Sequence, residues 1–124
     1  MAKKVMVVDD SRTMRQQVGI ALTAAGYEVI EAEDGVDGLE KVQQTADLSM
    51  IICDINMPRM NGLEMLTNVK KDPRFTDLPV VMLTTEAQPA LITRAKQAGA
   101  KGWIVKPFKP ELLVAAVRRL IGAI

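Results

Sequence analysis

Five short apolar runs recur along the chain, and no other feature limits its fold so tightly: Val5 to Val8, Glu28 to Glu31, Met50 to Cys53, Val80 to Leu83 and Trp103 to Val105. Each is too short for a helix and reads as a strand. The first, third and fourth are nearly continuous in Val, Ile, Leu and Met, as strands buried on both faces must be, whereas the second and fifth are mixed. Helical patterns lie between them. Met14, Val18, Ala21, Leu22 and Ala25 share one helix face, with Ser11 placed to cap it and Gly26 to end it. Val36, Leu39, Glu40 and Val42 mark a second helix, and Leu63, Leu66, Val69 and Lys70 a third. Pro89 fits the first turn of a fourth helix ending at Gly99; Pro110 fits that of a fifth carrying Leu112, Leu113, Ala116, Val117 and Leu120.

Strand and helix thus alternate five times with short connections, which implies parallel strands, right-handed crossovers and helices on both sheet faces. The expected fold is α/β, an open, doubly wound five-stranded parallel sheet with five helices; five units are too few to close an eight-stranded barrel. At 124 residues, 48% hydrophobic and 25% charged, the chain reads as one globular domain. A chain of this size buries roughly two thirds of its unfolded surface. With four aromatic residues, that core must be aliphatic. No internal repeat, low-complexity segment or linker interrupts the pattern, so a single domain over residues 1–124, without an attached output domain, is expected.

Composition removes whole classes of function. There is no histidine, so Ser/His/Asp and Cys/His catalysis and His-ligated zinc are excluded. The lone Cys53 can form neither an internal disulfide nor a Cys-rich zinc site, and is expected to point into the core. The net charge is +1 and no basic run exceeds two residues, which argues against nucleic acid as a partner. The apolar stretch near the N-terminus is too short for a signal peptide, and none approaches the roughly 18 residues of a membrane span. A cytoplasmic location without membrane partners is expected.

In open α/β sheets, ligands bind beyond the carboxyl ends of the strands. After the first strand come Asp9 and Asp10; after the third, Asp54; after the fourth, Thr84 and Thr85; after the fifth, Lys106 and Pro107. Singly each has an ordinary reading: acids at a helix N-terminus, a strand threonine, a surface lysine. Together they do not, because two carboxylates about 4 Å apart repel by roughly 4 kcal/mol at an effective dielectric near 20, and three need a cation. Hard oxygen ligands without histidine point to Mg²⁺, which keeps coordination positions for a substrate phosphate. Lys106 adds a positive charge, the Thr84 hydroxyl can bond a phosphoryl oxygen, and one carboxylate remains as nucleophile. Asp54, alone at the tip of an apolar strand, is the best candidate.

Val7-Val8-Asp9-Asp10-Ser11, Cys53-Asp54-Ile55-Asn56-Met57-Pro58, Asn61-Gly62, Leu83-Thr84-Thr85 and Lys106-Pro107-Phe108 stand in the order and roughly the spacing of a response-regulator receiver domain. The chain resembles that family over essentially its whole length, and within it the stand-alone receivers of chemotaxis. The resemblance implies a flavodoxin-like sheet of order 2-1-3-4-5 and a phosphoryl group accepted by Asp54 from a phosphohistidine of a sensor histidine kinase. It implies Mg²⁺ held by Asp9, Asp10, Asp54 and the backbone carbonyl of Asn56, with Thr84 and Lys106 on the phosphoryl group. Trp103 falls where the family usually carries a Tyr or Phe that swings inward when the threonine engages phosphate, so the switch here would run through Thr84 and an indole. The resemblance also implies a cis bond before Pro107 and rapid self-dephosphorylation governed by Asn56 and Glu86. Output would come from a monomer binding another protein through the fourth helix, fifth strand and fifth helix, with Ala87, Ile92, Trp103 and Val105 contributing. A flagellar motor switch protein is the implied target, and a phosphate sink the other role.

Three alternatives fit less well. A Mg²⁺-dependent aspartyl-phosphate phosphatase usually wants a second Asp two residues after its nucleophile, where this chain has Asn56, and a cap domain. An EF-hand could begin at Asp54-Ile55-Asn56, but Pro58 and Arg59 stand where that loop needs an oxygen ligand and a glycine. A flavin site of the same fold would set its phosphate against carboxylates. The chain is therefore expected to be a signalling phosphoacceptor rather than an enzyme. Gly62 is expected to cap or turn the loop after Asp54, a loop that also holds Met57 and Met60.

Overall fold

A computed structural model describes residues 2–57, 59–85 and 88–122. Its elements are β1 (Lys4–Val8), α1 (Arg12–Ala24), β2 (Glu28–Ala32), α2 (Gly35–Gln44), β3 (Leu48–Asp54), α3 (Gly62–Lys71), β4 (Val80–Thr84), α4 (Pro89–Ala98), β5 (Gly102–Val105) and α5 (Pro110–Ile121). The strands form one parallel sheet in the order β2-β1-β3-β4-β5. All five expected strands and helices are present. The mixed composition of β2 and β5 now has its cause: they are the edge strands, covered less completely than the three between them.

The two-residue repeat of the inner strands divides the core. Met6, Val8, Ile51, Cys53, Val80 and Met82 face α2, α3 and α4, where Val42, Met65, Leu66 and Ala95 meet them. Val5, Val7, Met50, Ile52, Val81 and Leu83 face α1 and α5, where Val18, Leu22, Leu113 and Val117 meet them. Each fully buried aliphatic side chain contributes about 1.5–3 kcal/mol, so burial of this kind on both faces is the main force holding the sheet.

The ends of the elements refine the expectation. Asp54 and Thr84 are not beyond their strands but are the last residues of β3 and β4, so the sheet itself aims them. Gly62 does not cap α3. Asn61 does, accepting from the Glu64 amide while the Glu64 carboxylate accepts from the Asn61 amide, and Gly62 is the first helical residue. Lys70 lies on the apolar side of α3 because its ammonium turns back to the carbonyls of Phe75, Thr76 and Leu78, at 3.2, 3.0 and 2.5 Å. It thereby ties down a short 3₁₀ turn, Pro73–Phe75, that the periodicity did not show. Pro89 and Pro110 open α4 and α5 as expected, and Gly99 ends α4 with a left-handed φ of 110°.

Candidate functional site

The register brings the strand ends level. Val8 is paired with both Ala32 and Cys53, Asp54 with Leu83, and Thr84 with Val105, so the residues just past β1 and at the tips of β3 and β4 share one edge. Asp9 is fully buried there and Asp54 nearly so, while Asp10 is exposed. One carboxylate oxygen from each of Asp9, Asp10 and Asp54 lies within 4.8 Å of the others. Asp9 is fixed on several sides: its Oδ1 accepts the Ser11 amide at 2.9 Å, its amide donates to the Ala32 carbonyl at 3.1 Å, and its own carbonyl accepts from Arg15 at 2.6 Å. Arg15 also pairs with Glu31 at 3.1 Å, a contact that links α1 to the edge strand.

Lys106 reaches two of the acids. Its Nζ lies 2.9 Å from Asp9 Oδ2 and 3.4 Å from Asp54 Oδ2, and its amide donates to the Thr84 carbonyl at 2.7 Å. The Lys106–Pro107 bond is cis, as expected. One ammonium does not balance three carboxylates. Burial, and then the charge of Asp9, push the Asp54 carboxyl up to about 6, against the lowering effect of Lys106 and of the Asn56 amide. The donor set is all oxygen, acidic and partly open to solvent through Asp10, which suits a small hard divalent cation such as Mg²⁺. Asp54 combines the tip of a rigid strand with a carboxylate that is still mostly ionised at neutral pH, the state a nucleophile needs.

The remaining residues singled out in the sequence have varied settings. Thr84 is fully buried, so its hydroxyl is held by the fold rather than by solvent. Trp103, on β5, is partly buried against the α3–α4 side of the core, and its indole Nε1 is buried without a hydrogen-bond partner among the described residues. Ile92 is half-buried on α4 and Val105 is 42% exposed on β5. Asn56 is exposed. Glu86 and Ala87 lie outside the described residues. Cys53 is buried with its Sγ 3.7 Å from Met65, and burial with the nearby Asp54 and Asp9 charges pushes its thiol far up, so it is an inert core residue as expected.

Residues 5–118 match the response regulator receiver domain. The chain belongs to the response regulator receiver family. This receiver is 44% identical over 120 residues to chemotaxis protein CheY1 of Helicobacter pylori, covering 96% of this chain and 97% of that protein. It is 40% identical to the chemotaxis protein CheY homolog of Campylobacter jejuni, covering 96% and 92%. Among solved structures it is similar to Vibrio cholerae CheY4, with a TM-score of 0.92 at 42% identity over 97% of this chain and 99% of that one. A response regulator from Chloroflexus aurantiacus superposes with a TM-score of 0.91 at 29% identity, covering 98% of each chain. The receiver is thus CheY-like along its length, consistent with a chemotaxis response regulator, and among its described residues no helix is long and apolar enough to cross a membrane.

The loop that follows Asp54 in this receiver, and the Gly62 that closes it, make contacts the sequence did not show. Gly62 packs so closely that a Cβ there would lie 2.1 Å from the Asp54 carbonyl oxygen, and its amide donates to the Ile55 carbonyl at 2.9 Å. Arg59, at the crown of the loop, has a left-handed φ of 63°, which costs a side chain of this kind about 1–2 kcal/mol. Its guanidinium makes a two-pronged contact with Asp34, Nε to Oδ2 at 2.6 Å and Nη2 to Oδ1 at 3.0 Å. Asp34 is buried and also caps α2, accepting the Asp37 amide at 2.9 Å. Asp34-Gly35 ahead of an amphipathic run is a legible capping signal, but nothing local joins it to a residue 25 positions later.

Proposed function

We propose that this protein is a single-domain two-component response regulator that accepts a phosphoryl group on Asp54. The observation that carries the reading is the cluster of Asp9, Asp10 and Asp54 oxygens within 4.8 Å, with Lys106 at 2.9 and 3.4 Å from two of them. Asp9, Asp10, Asp54 and the backbone carbonyl of Asn56 would hold Mg²⁺, which when bound neutralises the acids and the incoming phosphate charge. An Asp54 carboxylate oxygen attacks phosphorus in line, the P–N bond to the donor's imidazole breaks, and the donor nitrogen keeps the electron pair. Lys106 and the Thr84 hydroxyl bind phosphoryl oxygens, orienting the group and stabilising its charge. Hydrolysis by water attack on the same phosphorus, at a rate governed by the residue types at 56 and 86, returns free Asp54 and inorganic phosphate. The protein would act on no external substrate.

Phosphorylation becomes a signal only if its contacts favour one conformation over another. Thr84 and Lys106 supply such contacts, and Trp103 is the group their movement would release. The phosphodonor is a sensor histidine kinase, CheA-like by analogy with the chemotaxis relatives. The target is a protein such as a flagellar motor switch component, bound by a monomer through α4, β5 and α5. The test is intact-mass measurement after incubation with acetyl phosphate and Mg²⁺. One added phosphoryl group in the wild type and none in Asp54→Asn is the expected result; full labelling of that variant sinks the assignment.

A further inference from the structure

We propose that the Asp34–Arg59 ion pair is a positioning clamp on the loop 55–61, and that it sets how tightly the acidic edge holds a divalent cation without taking part in phosphoryl transfer. The proposal rests on the Mg²⁺ reading above, in which that loop supplies the Asn56 carbonyl. Three contacts fasten the loop. At its base, Gly62 sits on the Asp54 carbonyl and its amide bonds Ile55. Beside the crown, the Gly35 amide donates to the Met60 carbonyl at 3.1 Å, and a Cβ on Gly35 would lie 2.5 Å from that oxygen, so α2 and the loop touch backbone to backbone. At the crown itself the guanidinium grips Asp34 with two bonds.

That grip is unusual in two ways. Its partners are unequally buried, the Arg59 side chain being 55% exposed and Asp34 5%, so an exposed side chain is fastened to a buried one that the α2 cap already holds. Arg59 also stands in a left-handed conformation that arginine does not favour, and such strain persists where the surroundings over-determine it. A planar, two-pronged donor fixes direction as well as distance. Released from Asp34, the crown gains freedom and the Asn56 carbonyl must be ordered anew each time a cation binds. Asp54 and Thr84, which end β3 and β4, and Lys106, just past β5, stand outside this loop and keep their places.

The test uses the full chain and variants that spare the rest of the structure. Arg59→Asn tolerates the left-handed backbone but cannot reach Asp34. Asp34→Asn keeps a capping oxygen for α2 while removing the charge. Arg59→Lys restores one charged bond without the fork. Mg²⁺ affinity is read by titration calorimetry, and labelling by acetyl phosphate is followed across Mg²⁺ concentrations. Each of the first two variants should bind Mg²⁺ roughly tenfold more weakly, the double variant no more weakly than either, and Arg59→Lys in between. At saturating Mg²⁺ the maximal labelling rate should return to that of the wild type. Wild-type affinity in either single variant, fully additive losses in the double variant, or a lower maximal rate overturns the clamp. A wild type that binds no Mg²⁺ overturns the reading of the acidic edge itself, and the clamp with it.

Discussion

The Lys106 ammonium lies 0.5 Å nearer to Asp9, at 2.9 Å, than to Asp54, at 3.4 Å. Without a metal it is therefore a counter-charge for the buried acid first and a neighbour of the acceptor second. Lys106→Met should lower the stability of the metal-free protein by about 3 kcal/mol, because it leaves a buried carboxylate unpaired. Mg²⁺ should restore much of that loss by taking over the same charge. Thermal unfolding in chelator and in Mg²⁺ checks this; an equal deficit in both would mean that the lysine is not acting as the counter-charge.

Asp54 is destabilising while ionised. Its carboxyl is raised to about 6, above the usual range near 4, so the native state binds its proton more tightly than the unfolded chain does. The penalty is absent below about pH 4, grows as pH rises through about 6 and is complete at neutral pH. Asp54→Asn should accordingly stabilise the metal-free protein at pH 7 by on the order of 2 kcal/mol, a rise in Tm of several degrees. Near pH 4 the two proteins should melt together. A variant no more stable than wild type at pH 7 contradicts the argument.

Metal binding should itself be visible as stability. A ligand present at about 100 times its Kd adds roughly 2.7 kcal/mol to a protein that binds it only when folded. Mg²⁺ should raise the wild-type Tm accordingly, and Asp9→Asn or Asp10→Asn should abolish most of the increase while both variants remain folded in chelator. An undiminished rise in either variant removes that residue from the ligand set.

Gly62→Ala should be among the most damaging single substitutions in the chain. The added methyl would sit 2.1 Å from a backbone oxygen, and neither β3 nor the start of α3 can retreat without disturbing Asp54. A loss of about 3 kcal/mol is expected, with acetyl phosphate labelling reduced in whatever remains folded. Denaturant unfolding gives the first number and intact mass the second.

Trp103 is the only tryptophan, so its emission reports on β5 without interference. Beryllofluoride, a phosphoryl mimic, should change that emission in the wild type. In Thr84→Ala and Lys106→Ala the change should be largely lost even where the mimic still binds. An equal response in all three proteins would separate Trp103 from the phosphoryl contacts and end the proposed switch.

The parts of this molecule that were readable in advance rest on short-range pattern. Continuous apolar runs disclosed β1, β3 and β4, mixed ones disclosed the edge strands, and the polar residues at the run ends collected into the acidic edge because parallel strands all point the same way. The sequence pattern puts Asp54 and Thr84 one step too far along, since a strand tip and the first loop residue look alike in one dimension. The Asn61–Glu64 capping box is present in the letters, but the glycine beside it equally suggests a turn. Arg15 on Asp9, Lys70 on three carbonyls and Arg59 on Asp34 were out of reach for a different reason. Each is a long cation whose partner is chosen by tertiary packing, and for Arg59 also by a backbone angle that no residue preference suggests.

The sheet is also a partition. Alternate side chains of β1, β3 and β4 belong to separate apolar compartments, one lined by α1 and α5 and the other by α2, α3 and α4. Repacking in one compartment is insulated from the other by a layer of hydrogen-bonded backbone. News of an event at one helix can therefore reach the helices behind the sheet most directly over the rim, where the strands stop and side chains from both compartments stand within reach of one another. Asp9, Asp54, Thr84 and Lys106 occupy that rim, so the place where chemistry is proposed to occur is also the place best connected to both sides of the molecule.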